Sequence, residues 1–99
     1  MLVGRGTFSA AGHFALDVLK RTDATVVGER SGFAPNQFGD PITEVLPGSG
    51  LTINVATVYW MKTTPGDDTL WLAPDIRIAL TSKDFLTGRD PVLEAVLSR

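Results

Sequence analysis

Turn-forming residues divide this sequence into short segments. Ten Gly and six Pro are spread over 99 residues, and 43% of the chain is nevertheless hydrophobic. This combination indicates frequent tight turns around apolar segments rather than disorder. A chain of this length fits one domain, or a piece of one, and leaves no room for two independent cores. We therefore expect one unit over residues 1–99.

Charge and composition exclude several classes of function. The net charge is −2, and no basic stripe is present to neutralise phosphates, so we expect no nucleic-acid partner. The chain has no Cys and no metal-ligand spacing, so we expect neither disulfides nor a metal or other cofactor. No apolar run approaches the roughly 20 residues that span a bilayer. No secretory leader is recognisable either, and the compartment is not predicted.

The first helix is predicted from Ala10 to Arg21, after a short strand at Leu2 and Val3. Apolar residues recur at four-residue spacing in two rows, which together form one broad stripe: Ala10, Phe14 and Val18, then Ala11, Ala15 and Leu19. The opposite face carries polar side chains, which we expect to be solvated: His13, Asp17, Lys20 and Arg21. Ser9 stands at the N-cap position.

The rest of the chain predicts a mixed α/β layer. Strands are expected at residues 25–27, closed by Gly28, and at 76–80, with a loop over 29–40. Residues 42–46 and 51–59 predict a hairpin joined by "PGSG", with one face of the second strand buried. Asp90 and Pro91 supply an N-cap and a first-turn proline for a final helix.

Ser9 is the strongest candidate for a chemical role. A serine between a strand and a helix lies at the positive end of the helix dipole. The backbone N–H of Ala10 would then point towards an oxygen that becomes negative during acyl transfer. The alternative is a serine that merely caps the helix.

A second arrangement on the same helix is also conceivable. Ser9, His13 and Asp17 are spaced four residues apart, and helical side chains lean towards the N-terminus, so they could form a nucleophile, base and acid. A triad needs an imidazole that is fixed by packing, whereas rotamers on an exposed helical face are loosely held. We therefore favour a solvated face with an Asp17–Arg21 pair.

The segment "LVGRGTFSAAGHFALDVLKRTDATVVGE" resembles the nucleophile region of the tail-specific (C-terminal processing) proteases and their tricorn relatives. "LPGSGLTINVATVYW" resembles the hairpin of that family, and "LAPDIRIAL" resembles one of its strands. The resemblance covers nearly the whole chain but only the latter half of the family's catalytic core. It implies a partial crotonase/ClpP-like spiral core, an α/β fold in which a mixed sheet carries a central packed helix and a C-terminal helix.

The resemblance also implies roles for particular residues. Ser9 would be the nucleophile and Ala10 would supply the oxyanion N–H, in a peptidase that cleaves unstructured polypeptide through an acyl-enzyme. The tail-specific branch has a catalytic Lys after Val-Gly-Glu, but residues 30–36 contain none, and Arg30 cannot replace it because guanidinium stays protonated. The tricorn-like branch takes a His from an upstream segment and a supporting acid, here Asp67 or Asp68.

These expectations leave two further readings open. The upstream His lies outside this chain, so we expect the 99-residue chain alone to be nearly inactive and to self-associate, which sedimentation would detect. The interphotoreceptor retinoid-binding protein modules resemble the same fold and hold apolar ligands without a nucleophile. A binding module of that kind is the alternative function. A solvated turn is the alternative for Asp67 and Asp68.

Overall fold

The computed structural model describes residues 1–98. It is a mixed α/β structure with two small sheets and three helices. The elements follow in the order β1 (Leu2–Val3), α1 (Ala10–Arg21), β2 (Val27–Gly28), β3 (Asn36–Val45), β4 (Thr52–Met61), β5 (Ile76–Arg77), α2 (Ser82–Thr87) and α3 (Pro91–Leu97). The predicted bounds of α1 are confirmed, and the predicted single mixed sheet is instead two separate sheets.

A three-stranded parallel sheet in the order β1-β2-β5 anchors the structure. Gly28 lies between Val3 and Arg77 in this sheet, with φ at +133°. A Cβ atom there would lie 2.0 Å from the carbonyl oxygen of Val3, so only glycine allows the strands to approach this closely. The carboxylate of Asp75 accepts a 2.7 Å hydrogen bond from the amide of Val26 and holds β5 beside β2.

Helix α1 packs on this sheet through a narrow face. Its buried residues are Gly12, Ala15 and Leu16, and the ring of Phe33 lies against Gly12, where a Cβ would come within 2.2 Å of the ring. Phe14, which the predicted apolar stripe includes, is 68% exposed. The predicted position of the buried face was therefore wrong at Phe14. The helix packs through its side with small residues instead, because only that side leaves room for the Phe33 ring.

Strands β3 and β4 form an antiparallel hairpin, with Asn36 opposite Met61 and Val45 opposite Thr52. The loop predicted over 29–40 ends early, because β3 begins at Asn36. The prediction that one face of the second strand is buried is wrong, since every residue of β4 is exposed. Alternation correctly indicates a strand, but no second layer covers it among residues 1–98. The expected self-association stays a prediction, for which this hairpin offers apolar surface.

The C-terminal segment contains one helix that was predicted and one that was not. The side chain of Asp90 accepts a 2.9 Å hydrogen bond from the amide of Leu93, and Pro91 begins α3, as predicted. Helix α2 was missed, although Thr81 and Asp84 form a reciprocal capping box and Gly88 ends the helix in the left-handed conformation. Within residues 1–98, no helix has the length and apolar character needed to cross a membrane.

We expect Phe33→Ala to destabilise the protein by about 3–5 kcal/mol, because it empties a fully buried site that Gly12 cannot fill. Phe33 is 0% exposed, whereas Phe38 on the hairpin is 66% exposed. Phe38→Ala, the matched control, should therefore cost no more than about 0.5 kcal/mol. Urea unfolding followed by circular dichroism measures both variants. Equal losses for the two would contradict this account of the core.

Candidate functional site

A tight turn delivers Ser9 to the start of α1. The amide of Thr7 donates to the carbonyl oxygen of Gly4 at 2.8 Å, and the amide of Gly4 donates to Thr7 Oγ1 at 3.1 Å. These two hydrogen bonds form a tight turn between β1 and α1. Ser9 is consequently held by backbone geometry at the strand-to-helix junction.

The backbone of Ser9 is strained. Its φ is 51° and its ψ is −120°, a combination that L-residues other than glycine rarely adopt. Such strain costs of order 1–3 kcal/mol and persists only where the surroundings enforce it. A serine on a sharp, strained turn between a strand and a helix is also how hydrolases present a nucleophilic oxygen to substrate.

The Ser9 side chain does not cap the helix. Although Ser9 occupies the N-cap position, its hydroxyl makes no capping hydrogen bond, and the residue is exposed. The amide of Ala10 donates to no acceptor among residues 1–98. The hydroxyl and the neighbouring N–H are therefore both available at the positive end of a 12-residue helix.

Ser9 and Ala10 open into a small pocket of about 230 Å³. Helix α1 and the base of the hairpin line it together, through Ser9, Ala10, His13, Gln37, Gly39, Asp40 and Trp60. Gln37 lines this pocket, whereas Phe33 is fully buried and does not line it. The pocket thus joins the predicted nucleophile to residues that lie about 30 to 50 positions further along the sequence.

The sequence predicts His13 on a solvated face, and the structure instead packs it against aromatic side chains. Its ring is in an edge-on contact with Phe33, at 5.0 Å between ring centroids, and 5.5 Å from Trp60. Its Nε2 atom is buried and has no hydrogen-bond partner within the described chain. Burial, and then the positive charge of Lys62, lower the pKa of His13, which Asp17 and Asp40 oppose. Both causes favour the neutral form of the imidazole.

Asp40 is a pocket residue that the sequence analysis missed. Its φ is 47°, its Oδ2 accepts a 3.2 Å hydrogen bond from Trp60 Nε1, and its carbonyl oxygen accepts a 2.7 Å bond from Thr57 Oγ1. These bonds fix a carboxylate beside the pocket that holds His13. The pairing of β3 with β4 brings Asp40 there, and no local sequence pattern signals that arrangement.

The predicted supporting acids lie elsewhere. Asp67 belongs to a turn after β4, where its Oδ1 accepts a 2.9 Å hydrogen bond from the amide of Thr69. Hydrogen bonds from Thr69 lower the pKa of Asp67, as expected for a carboxylate that stabilises a turn. Neither Asp67 nor Asp68 lines the Ser9 pocket formed by residues 1–98. Their role as supporting acid stays a prediction.

The loop that carries Asp67 is fastened to the hairpin by Asn36. Its Oδ1 accepts hydrogen bonds from the amides of Lys62 and Thr63 at 2.9 and 3.1 Å, and its Nδ2 donates to the carbonyls of Thr64 and Asp67. Both polar atoms of the Asn36 side chain are therefore engaged in hydrogen bonds within the chain.

Comparison with known proteins adds no family to these observations. No protein-family model matches the chain, and no curated protein matches it. Within residues 1–98, no group of three or more His, Asp or Glu side chains is arranged to hold a metal ion. The chemistry of the site is therefore argued from its own side chains and backbone.

The pKa of His13 provides a direct check of the pocket. We expect a value below the ordinary 6.5, read from a proton NMR titration in which the single His of the chain gives an unambiguous signal. Because the unfolded chain binds the proton at higher pH than the folded one, stability should fall as the pH drops below about 6.5. Lys62→Gln should raise the pKa by removing a nearby positive charge. A wild-type value at or above 6.5 would contradict the packing described.

Substitutions at Ser9 test the backbone strain. Ser9→Gly should leave the folded protein more stable than Ser9→Ala by about 1 kcal/mol, because glycine adopts a positive φ without steric cost whereas alanine keeps the strain. In an unstrained N-cap Ser9→Gly would be about a few tenths of a kcal/mol less stable than the wild-type protein, whereas here Ser9→Gly should be at least as stable as the wild type, because the strain is relieved and no capping bond is lost. Chemical denaturation of the pair supplies the measurement. A Ser9→Ala protein that is the more stable of the two would show that the turn is not strained.

Proposed function

We propose that this chain is the nucleophile-bearing part of a serine hydrolase that cleaves unstructured polypeptide, with Ser9 as the nucleophile. The observation that carries the proposal is the geometry of Ser9, which combines a strained backbone with an uncapped hydroxyl at a helix N-terminus. A serine that served only to cap α1 would accept a hydrogen bond from the first turn, and Ser9 accepts none within the described residues.

The chemistry follows from this placement. Ser9 Oγ attacks the carbonyl carbon of a peptide bond while a base removes its proton, and the carbonyl oxygen becomes an oxyanion. The free amide of Ala10, aided by the helix dipole, stabilises that negative charge. Collapse of the intermediate expels the amine, which takes the proton from the base, and leaves an acyl group on Ser9. Water then attacks the ester, releases the acyl group as a carboxylic acid and restores the Ser9 hydroxyl.

The base that removes the Ser9 proton is the remaining group in this mechanism. We place it in an upstream segment, as the resemblance to the tricorn-like proteases implies, with Asp67 or Asp68 as its proposed supporting acid. His13 lines the same pocket as Ser9, but its Nε2 is buried without a hydrogen-bond partner in the described chain and its ring packs against Phe33 and Trp60. A base must be within hydrogen-bond reach of the proton it removes.

The proposal extends to the fold. We infer that the parallel sheet and α1 belong to a crotonase-like spiral core, and that the upstream half of such a core covers the exposed hairpin. Support comes from the apolar side chains that β3 and β4 leave open to solvent, among them Phe38, Ile42, Val55 and Tyr59, which are 66%, 51%, 48% and 52% exposed. Exposed apolar surface of this extent marks an interaction site.

A fluorophosphonate probe tests the nucleophile. In a protein that carries both this chain and an upstream His, we expect covalent labelling that peptide mass spectrometry maps to Ser9 and that Ser9→Ala abolishes. The 99-residue chain alone should react far more slowly, because its serine lacks a base. His13→Gln separates the two sources of base, since labelling should persist if the base is upstream.

Absence of labelling in the longer, folded protein would reject Ser9 as a nucleophile. The alternative is then the apolar-ligand-binding module without a nucleophile, and titration with long-chain lipids decides it. Tight lipid binding without acylation of Ser9 would establish that reading.

A further inference from the structure

A second cleft, of about 390 Å³, lies at the carboxyl ends of the parallel strands. It is lined by Arg5, Glu29, Arg30, Trp71, Ala73, Pro74 and Arg77. Arg5 follows β1, Glu29 and Arg30 follow β2, and Arg77 ends β5. The edge beyond the carboxyl ends of parallel strands is where open α/β sheets bind ligands. The cleft shares no lining residue with the Ser9 pocket.

The cleft is strongly positive. Three arginines and a single glutamate line it, which leaves an excess of two positive charges. Glu29 is already paired with Arg5, at 3.2 Å between Oε1 and the guanidinium. No salt bridge within residues 1–98 involves Arg30 or Arg77. The cleft is therefore positively charged although the whole chain carries a net charge of −2.

Two of the three arginines already contact another side chain of the chain. Arg5 is paired with Glu29, and the guanidinium of Arg30 lies 4.8 Å from the centre of the Trp71 ring. A cation over an aromatic face is stabilised by the ring quadrupole and keeps its N–H donors free at the edge. Groups positioned in advance lose less conformational entropy when a ligand binds.

We propose that this cleft binds an oxyanion group, a phosphate or a carboxylate, carried by a small ligand. Guanidinium presents paired N–H donors that match the oxygens of both groups. Arg30 and Arg77 supply uncompensated charge, and Ala73 and Pro74 provide an apolar wall for the body of the ligand. The volume falls within the range of small-molecule sites. The proposal does not depend on the function of Ser9.

Isothermal titration calorimetry tests the site on the 99-residue protein. Inorganic phosphate and sodium acetate are titrated separately, at constant ionic strength set with sodium chloride. We expect saturable 1:1 binding of at least one of them. Binding of phosphate alone assigns a phosphate ligand, and binding of acetate assigns a carboxylate.

Arg77→Gln should weaken that binding by about tenfold or more, because it removes a charged donor from the cleft. Arg30→Gln should do the same and serves as a second variant if Arg77→Gln disturbs β5, which circular dichroism would reveal. Arg21→Gln, which removes the same charge from the exposed end of α1, should leave the affinity unchanged. The proposal is overturned if neither anion binds, or if Arg21→Gln weakens binding as much as the cleft variants do.

Discussion

The contact between Phe33 and Gly12 sets the position of everything that surrounds the candidate site. Phe33 is fully buried, and its ring occupies the space that a side chain on Gly12 would need. The hydroxyl of Ser31 holds this loop in place. It donates to the carbonyl oxygen of Phe33 at 3.0 Å and accepts from the amide of Leu72 at 2.8 Å. This contact determines how closely α1 lies to the loop after β2, and hence where Ser9 and His13 are held.

The hairpin has two different ends. Its base contributes Gln37, Asp40 and Trp60 to the pocket beside Ser9, where a hydrogen bond from Trp60 Nε1 holds the Asp40 carboxylate. Its outer part makes no comparable contact with residues 1–98 and presents apolar side chains to solvent. The same two strands therefore complete a site at one end and offer an interaction surface at the other, because a two-stranded ribbon cannot bury both of its own faces.

The turn after β1 connects two chemically distinct regions. At one end Arg5 contributes to a positive cleft and is bound to Glu29. Four residues later Ser9 stands in a strained conformation at the start of α1. Rigid hydrogen bonds between Gly4 and Thr7 separate the two. An uncharged, strained serine and an arginine cluster suit different ligands, so we propose them as two separate sites.

Local chemistry in the sequence determined the bounds of α1, the cap of α3 by Asp90 and the presence of a hairpin, because spacing, capping and turn formation act over a few residues. The capping box at Thr81 and Asp84 was equally local and could have predicted α2. Only the tertiary structure decided that His13 is enclosed by Phe33 and Trp60, that Asp40 reaches the Ser9 pocket and that β4 is uncovered. Periodicity defines which side chains share a face, whereas the partner of that face depends on residues distant in the chain.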